Sequence, residues 1–139
     1  MKEKIITFTL VEPVTSFLVL CSVYEKHRTM LKDARDLCAP RFLPTLAKDP
    51  IATVETFYES IPKGYKAKVY FNKETGFSIN TVAHEMTHVA TTLLYELGVK
   101  SLPLHNLNSA PKDEEYLASF VGNLTKGFFD EYKRHEGLL

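Results

Sequence analysis

The chain has 139 residues, 45% of them hydrophobic and 24% charged, and its 17 basic and 17 acidic side chains cancel to zero net charge. That length suits one domain with its own core, and the composition excludes disordered, collagen-like and transmembrane classes. Balanced charge also removes the electrostatic motive for binding nucleic acid or an anionic membrane surface. Cys21 and Cys38 make neither a disulfide framework nor a zinc-ribbon pair, which points to a reducing, cytoplasmic compartment.

Ile5 to Val11 is rich in β-branched residues and predicts a strand; Glu12-Pro13 marks a turn, and Thr15 to Cys21 predicts a second strand. The basic start and the apolar run after it loosely resemble a leader peptide. Glu12 and Pro13 interrupt that run and no small-x-small cleavage site follows, so a strand pair is expected and no signal peptide. Ser22-Val23-Tyr24-Glu25 has the form of a capping box and predicts a helix to about Leu37, with Glu25, Arg28, Lys32 and Arg35 along a solvent-facing side. Residues 38–50 carry three prolines and are expected to form a loop.

Thr53 to Tyr58 and Tyr65 to Phe71 predict a hairpin around Pro62-Lys63-Gly64. For its first arm the alternative is a short helix begun by Asp49-Pro50, with Ile51, Val54 and Tyr58 on one side. Ser78 or Asn80 caps a helix through Leu97 that Gly98 ends. After a loop containing Pro103, a last helix runs from near Pro111 to Asp113 as far as about Arg134. The order predicts an α+β fold: a small, mostly antiparallel sheet, an N-terminal helix and two C-terminal helices, with the helices packed on one side.

The first of those two helices carries His84-Glu85-Met86-Thr87-His88. Histidines four apart project from one helical face and can bind one ion, and zinc suits such nitrogen ligands. Glu85, one residue offset, falls beside the ion, where it can act as general base toward water. Ile79, Val82, Met86, Val89, Leu93 and Leu97 form an apolar stripe, with His84, His88 and Tyr95 nearly opposite, so core filling does not explain the histidines. A third ligand is needed. The extended signature with a third histidine fails, because Thr91 and Leu94 occupy its glycine and histidine positions. His105, Asp113, Glu114 and Glu115 remain as candidates. Glu115 is favoured because Ala118 and Gly122 share its side of the last helix and would let it approach the histidine helix closely. Glu114 and His105 stay open, and an acidic helix start also suits the helix dipole.

Thr81 to His88, followed by Asp113-Glu114-Glu115-Tyr116-Leu117-Ala118, resembles the gluzincins, in which a glutamate on a second helix is followed three residues later by alanine. More narrowly, the chain is similar to small bacteriophage-encoded zinc peptidases with a Glu-Glu-x-x-Ala helix and a glycine one turn later, here Gly122. The resemblance covers about residues 66 to 130. It implies a minimal zincin-like domain in host cytoplasm or virion, with Zn²⁺ on His84, His88 and Glu115 and with Glu85 as catalytic base. Ser119 stands where many gluzincins place an aspartate that orients a ligand histidine, which leaves that support to another group. Tyr95, Tyr116, Tyr132 and His105 are candidates to stabilise an oxyanion, and no motif selects among them.

Two functions follow as expectations. One is a zinc metallopeptidase acting on a polypeptide that pairs with the strand near Thr53 to Tyr58. The other is an inactive zincin-fold virion component or host-factor binder.

Overall fold

A computed structural model describes residues 3–37, 52–56, 61–99 and 112–137. Four strands, Ile6–Val11 (β1), Leu18–Tyr24 (β2), Thr53–Thr56 (β3) and Tyr65–Asn72 (β4), form one sheet of order β1-β2-β4-β3. β1 is antiparallel to β2 and β3 to β4, while β2 and β4 run parallel. Three helices, His27–Leu37 (α1), Ile79–Glu96 (α2) and Lys112–His135 (α3), complete an α+β fold. The first hairpin arm is a strand, although Ile51 and Tyr58 lie outside the described residues, as do the loops 38–50 and 101–111.

Alternation along the strands builds two cores. Ile6, Phe8 and Leu10 of β1, Val19, Cys21 and Val23 of β2, and Ala67, Val69 and Phe71 of β4 face one way, where α2 and α3 cover them. Tyr24 and Tyr70 face the other way and pack with Met30 and Ala34 of α1. The helices therefore do not share one side. Two buried tyrosines give the second face an apolar patch of its own, and α1, lying between parallel β2 and β4 in the chain, covers it.

The predicted capping box at Ser22 is also corrected. Ser22 belongs to β2, and its Oγ lies 3.1 Å from Oγ1 of Thr7, its cross-strand partner. Pairing with β1 and burial of Val23 and Tyr24 on opposite faces outweigh a local cap. α1 starts only at His27, and the Lys26 amide just before it donates to the Glu3 carboxylate at 2.6 Å. Thr15 lies in the turn rather than in β2. There the buried Glu12 carboxylate accepts from the amides of Val14 and Thr15, and the Glu12 amide donates to the Phe17 carbonyl at 2.9 Å.

Lys66 marks a bulge. Leu18 pairs with Tyr65 and Val19 with Ala67, so Lys66 has no partner on β2, and such an extra residue re-aims its side chain. Its Nζ lies 3.1 Å from Oε2 of Glu96, tying β4 to the end of α2.

α2 begins and ends as its sequence predicts. Ser78 Oγ accepts from the Thr81 amide at 3.3 Å. At the other end Gly98 N donates to Tyr95 O at 2.9 Å and Val99 N to Leu94 O at 3.0 Å, a paired arrangement that requires positive φ at Gly98, observed at 93°. Gly98→Ala is expected to lower stability by about 1–2 kcal/mol through backbone strain, read as a shift in the urea midpoint with an unchanged m-value.

Candidate metal and hydrolytic site

α2 is built with two unlike sides. Val82, Met86, Val89 and Leu93 are wholly buried and are joined by Ala90, Leu94 and Thr92. Ile79 and Leu97, the two ends of the predicted stripe, are 67% and 47% exposed; they stand at the first residue and the C-cap of the helix. His84, Thr87, His88, Thr91 and Tyr95 are exposed along the opposite side. Core packing thus fixes the helix rotation and turns both histidines outward.

The two imidazoles stand 5.0 Å apart between ring centroids, at 76° to one another. With zinc–nitrogen bonds of about 2 Å, two imidazoles at a tetrahedral angle on one ion have centroids about 5 Å apart. That separation is compatible with both rings sharing one ion. Glu85 sits between the buried and exposed sides and is half-buried. Burial lifts its carboxyl above the usual carboxylate range, and the neighbouring His84 and His88 charges pull in the opposite direction.

Glu114 and Glu115 lie exposed on the first turns of α3. Among the described residues no group of three or more His, Cys, Asp or Glu side chains comes together as a metal-binding set. The structure therefore assembles the two histidines with Glu85 beside them and does not draw Glu115 into that cluster. His105 and the side chain of Asp113 lie outside the described residues.

The packing expected across Ala118 and Gly122 is not found. Ala118 is exposed, and a methyl group added at Gly122 would meet nothing within 4 Å. α3 instead enters the core through Phe120, Leu124 and Phe128. The Glu115 face of α3 consequently opens to solvent.

Three threonines were not singled out from the sequence. Thr87 Oγ1 donates to the Ala83 carbonyl at 2.8 Å, while Thr91 and Thr92 both donate to the His88 carbonyl, at 2.8 and 3.2 Å. Threonine placed three or four residues after a carbonyl is the signal that could have found them. Of the oxyanion candidates, Tyr132 packs edge-on to Phe77 at 5.1 Å, and Tyr116 stacks on Phe120 at 5.9 Å. Among the described candidates Tyr95 is the exposed one, at 50%.

No protein-family model matches the chain, and no curated protein or solved structure shows significant similarity to it. Among the described residues no helix is long and apolar enough to cross a membrane.

Proposed function

We propose that the protein is a zincin-type zinc-dependent hydrolase, a metallopeptidase that cleaves peptide bonds. The observation that carries this reading is the paired outward imidazoles of His84 and His88, at a spacing that suits one ion, with a half-buried carboxyl beside them. His84, His88 and Glu115 are the proposed ligands, with Glu115 resting on its motif. A bound zinc ion would polarise the scissile carbonyl and acidify a water molecule. Glu85 takes the proton from the attacking water and passes it to the leaving amine, a role helped by a carboxyl pKa raised toward the working pH. β3 is an edge strand of the sheet next to α2, which supports an extended polypeptide as substrate through strand pairing.

Elemental analysis tests the ligand set directly. His84→Ala and His88→Ala should each lose stoichiometric zinc, and Glu115→Ala should lose it where Glu114→Ala does not. Retention of zinc by Glu115→Ala would pass the third position to another donor. The rival reading, a partner-binding protein with no catalytic role, is favoured by the absence of a gathered three-residue set among the described residues. It predicts no metal in freshly purified protein, or a zinc with no position open to water.

A further inference from the structure

Independently of the hydrolase reading, we infer that the outer edge of β1 is an interaction surface for a second copy of this chain. Residues 5–11 of the two copies pair antiparallel about a two-fold axis at Phe8, which joins their sheets into one.

β1 ends the sheet, and a contact beside it fixes where its backbone groups point. The Glu12 amide donates to the Phe17 carbonyl at 2.9 Å, one step beyond the Val11–Leu18 pair, and the register from there to Ile6–Val23 is unbroken. Bonded and non-bonded pairs alternate along an antiparallel ladder. Ile6, Phe8 and Leu10 therefore bond to β2, whereas Thr7, Thr9 and Val11 aim their N–H and C=O groups away from it. Among the described residues no backbone group meets those outward ones. Such a row is completed by another strand, and β1 has none of the usual guards against one: it is six residues long, without proline, charge or bulge. β3, at the other edge, has four residues, Glu55 among them, and lies beside α2.

The side chains say which strand. Ile5, Thr7, Thr9 and Val11 lie on the face away from the main core, where α1 packs over β2 and β4. Ile5 is 42% and Val11 57% exposed. The threonine hydroxyls are already engaged, Thr7 with Ser22 at 3.1 Å and Thr9 with Tyr65 at 2.7 Å, so a strand laid alongside orphans neither. A dyad at Phe8 sets Thr7 opposite Thr9 and Ile5 opposite Val11. Every outward donor and acceptor of the segment is then matched, in about eight hydrogen bonds, and each exposed apolar end covers the other. Moving the dyad one residue either way sets Ile5 against Pro13 or Val11 against Glu3. The segment is thus complementary to its own reverse, which selects a second copy as the partner.

The test is the mass of the full chain in solution, measured by light scattering over a concentration series. Wild type should rise toward twice the monomer mass. Thr9→Pro removes an outward N–H that β2 does not use, and Val11→Lys sets a charge against the partner's Ile5. Each should weaken dimerisation about tenfold or more, with an unchanged far-ultraviolet circular dichroism spectrum. Val11→Lys, at an exposed position, carries the test where proline disturbs the strand. Cross-linking then fixes the register, in a Cys38→Ser background with Cys21 buried. Ile5→Cys and Val11→Cys should each remain unlinked alone and give a disulfide-linked dimer when mixed, since residues opposite one another lie about 5.5 Å apart, within disulfide reach. Three results overturn the inference: a wild-type monomer up to about 1 mM, dimerisation unaffected by Val11→Lys, or single cysteine variants that link to themselves as readily as the mixture does.

Discussion

Glu85→Gln is expected to leave zinc in place and to lower kcat about 10²–10⁴-fold, the range for removal of a general base. Glutamine keeps the size and hydrogen-bonding reach of the side chain but cannot take a proton from water. The contrast with His84→Ala follows from position: His84 is exposed on the outer side of α2, where the proposed ion would bind, while Glu85 lies one residue round the helix, at the border of the core. A second readout separates this role from a structural one. The Glu85 carboxyl is held above its ordinary pKa chiefly by burial, so in metal-free protein the native state binds more protons than the unfolded chain over that window. The group therefore costs stability as pH rises through the unfolded and then the folded pKa. Metal-free Glu85→Gln should accordingly be more stable than wild type at neutral pH, and the two should converge below the carboxylate range, as measured by urea unfolding. Unchanged turnover in this variant would remove the proposed mechanism, whatever the zinc content.

The α2 helix was the most legible part of the chain, because several local signals agree there. Ser78, the 3.6-residue apolar period and Gly98 each predict the same helix, and the histidines fall on its open side for the reason their spacing suggests. α1 was less legible. Ser22 has the residue type of a helix cap, yet its place is decided by Thr7 across the sheet, a contact that a local pattern cannot carry. The parallel pairing of β2 with β4 and the second core around Tyr24 and Tyr70 are likewise products of long-range topology. α2 and α3 do pack together, but not through the small residues the sequence offers. Small residues at Ala118 and Gly122 permit a close approach but do not demand one, and the larger apolar area of Phe120, Leu124 and Phe128 decides which face turns inward. Two members of the candidate site, His84 and His88, come from one legible helix, whereas the proposed third ligand, Glu115, would depend on how two helices meet.

Phe128→Ala is expected to cost about 3–5 kcal/mol, the range for truncating a fully buried aromatic. The ring is wholly buried, with centroids 4.7 Å from Phe71, 5.5 Å from Phe77 and 5.6 Å from Phe8. Those neighbours belong to β4, the segment entering α2, and β1, so one side chain of α3 joins three parts of the chain. Tyr132 stacks on the same ring, and a Lys73–Glu136 ion pair of 2.5 Å ties the end of α3 to the residue after β4. Because a whole domain is stable by only about 5–15 kcal/mol, the loss should bring the urea midpoint down by a large fraction of its value. Phe129→Ala, at a half-buried position touching the same ring, should cost clearly less. A loss below about 1 kcal/mol at Phe128 would mean that the site can collapse around the missing ring. The C-terminal half of α3 would then not be what seats that helix on the sheet. The cluster lies toward the opposite end of α3 from Glu115, so its loss should act on stability first and reach zinc binding only through unfolding. Zinc content measured well below the unfolding midpoint distinguishes the two.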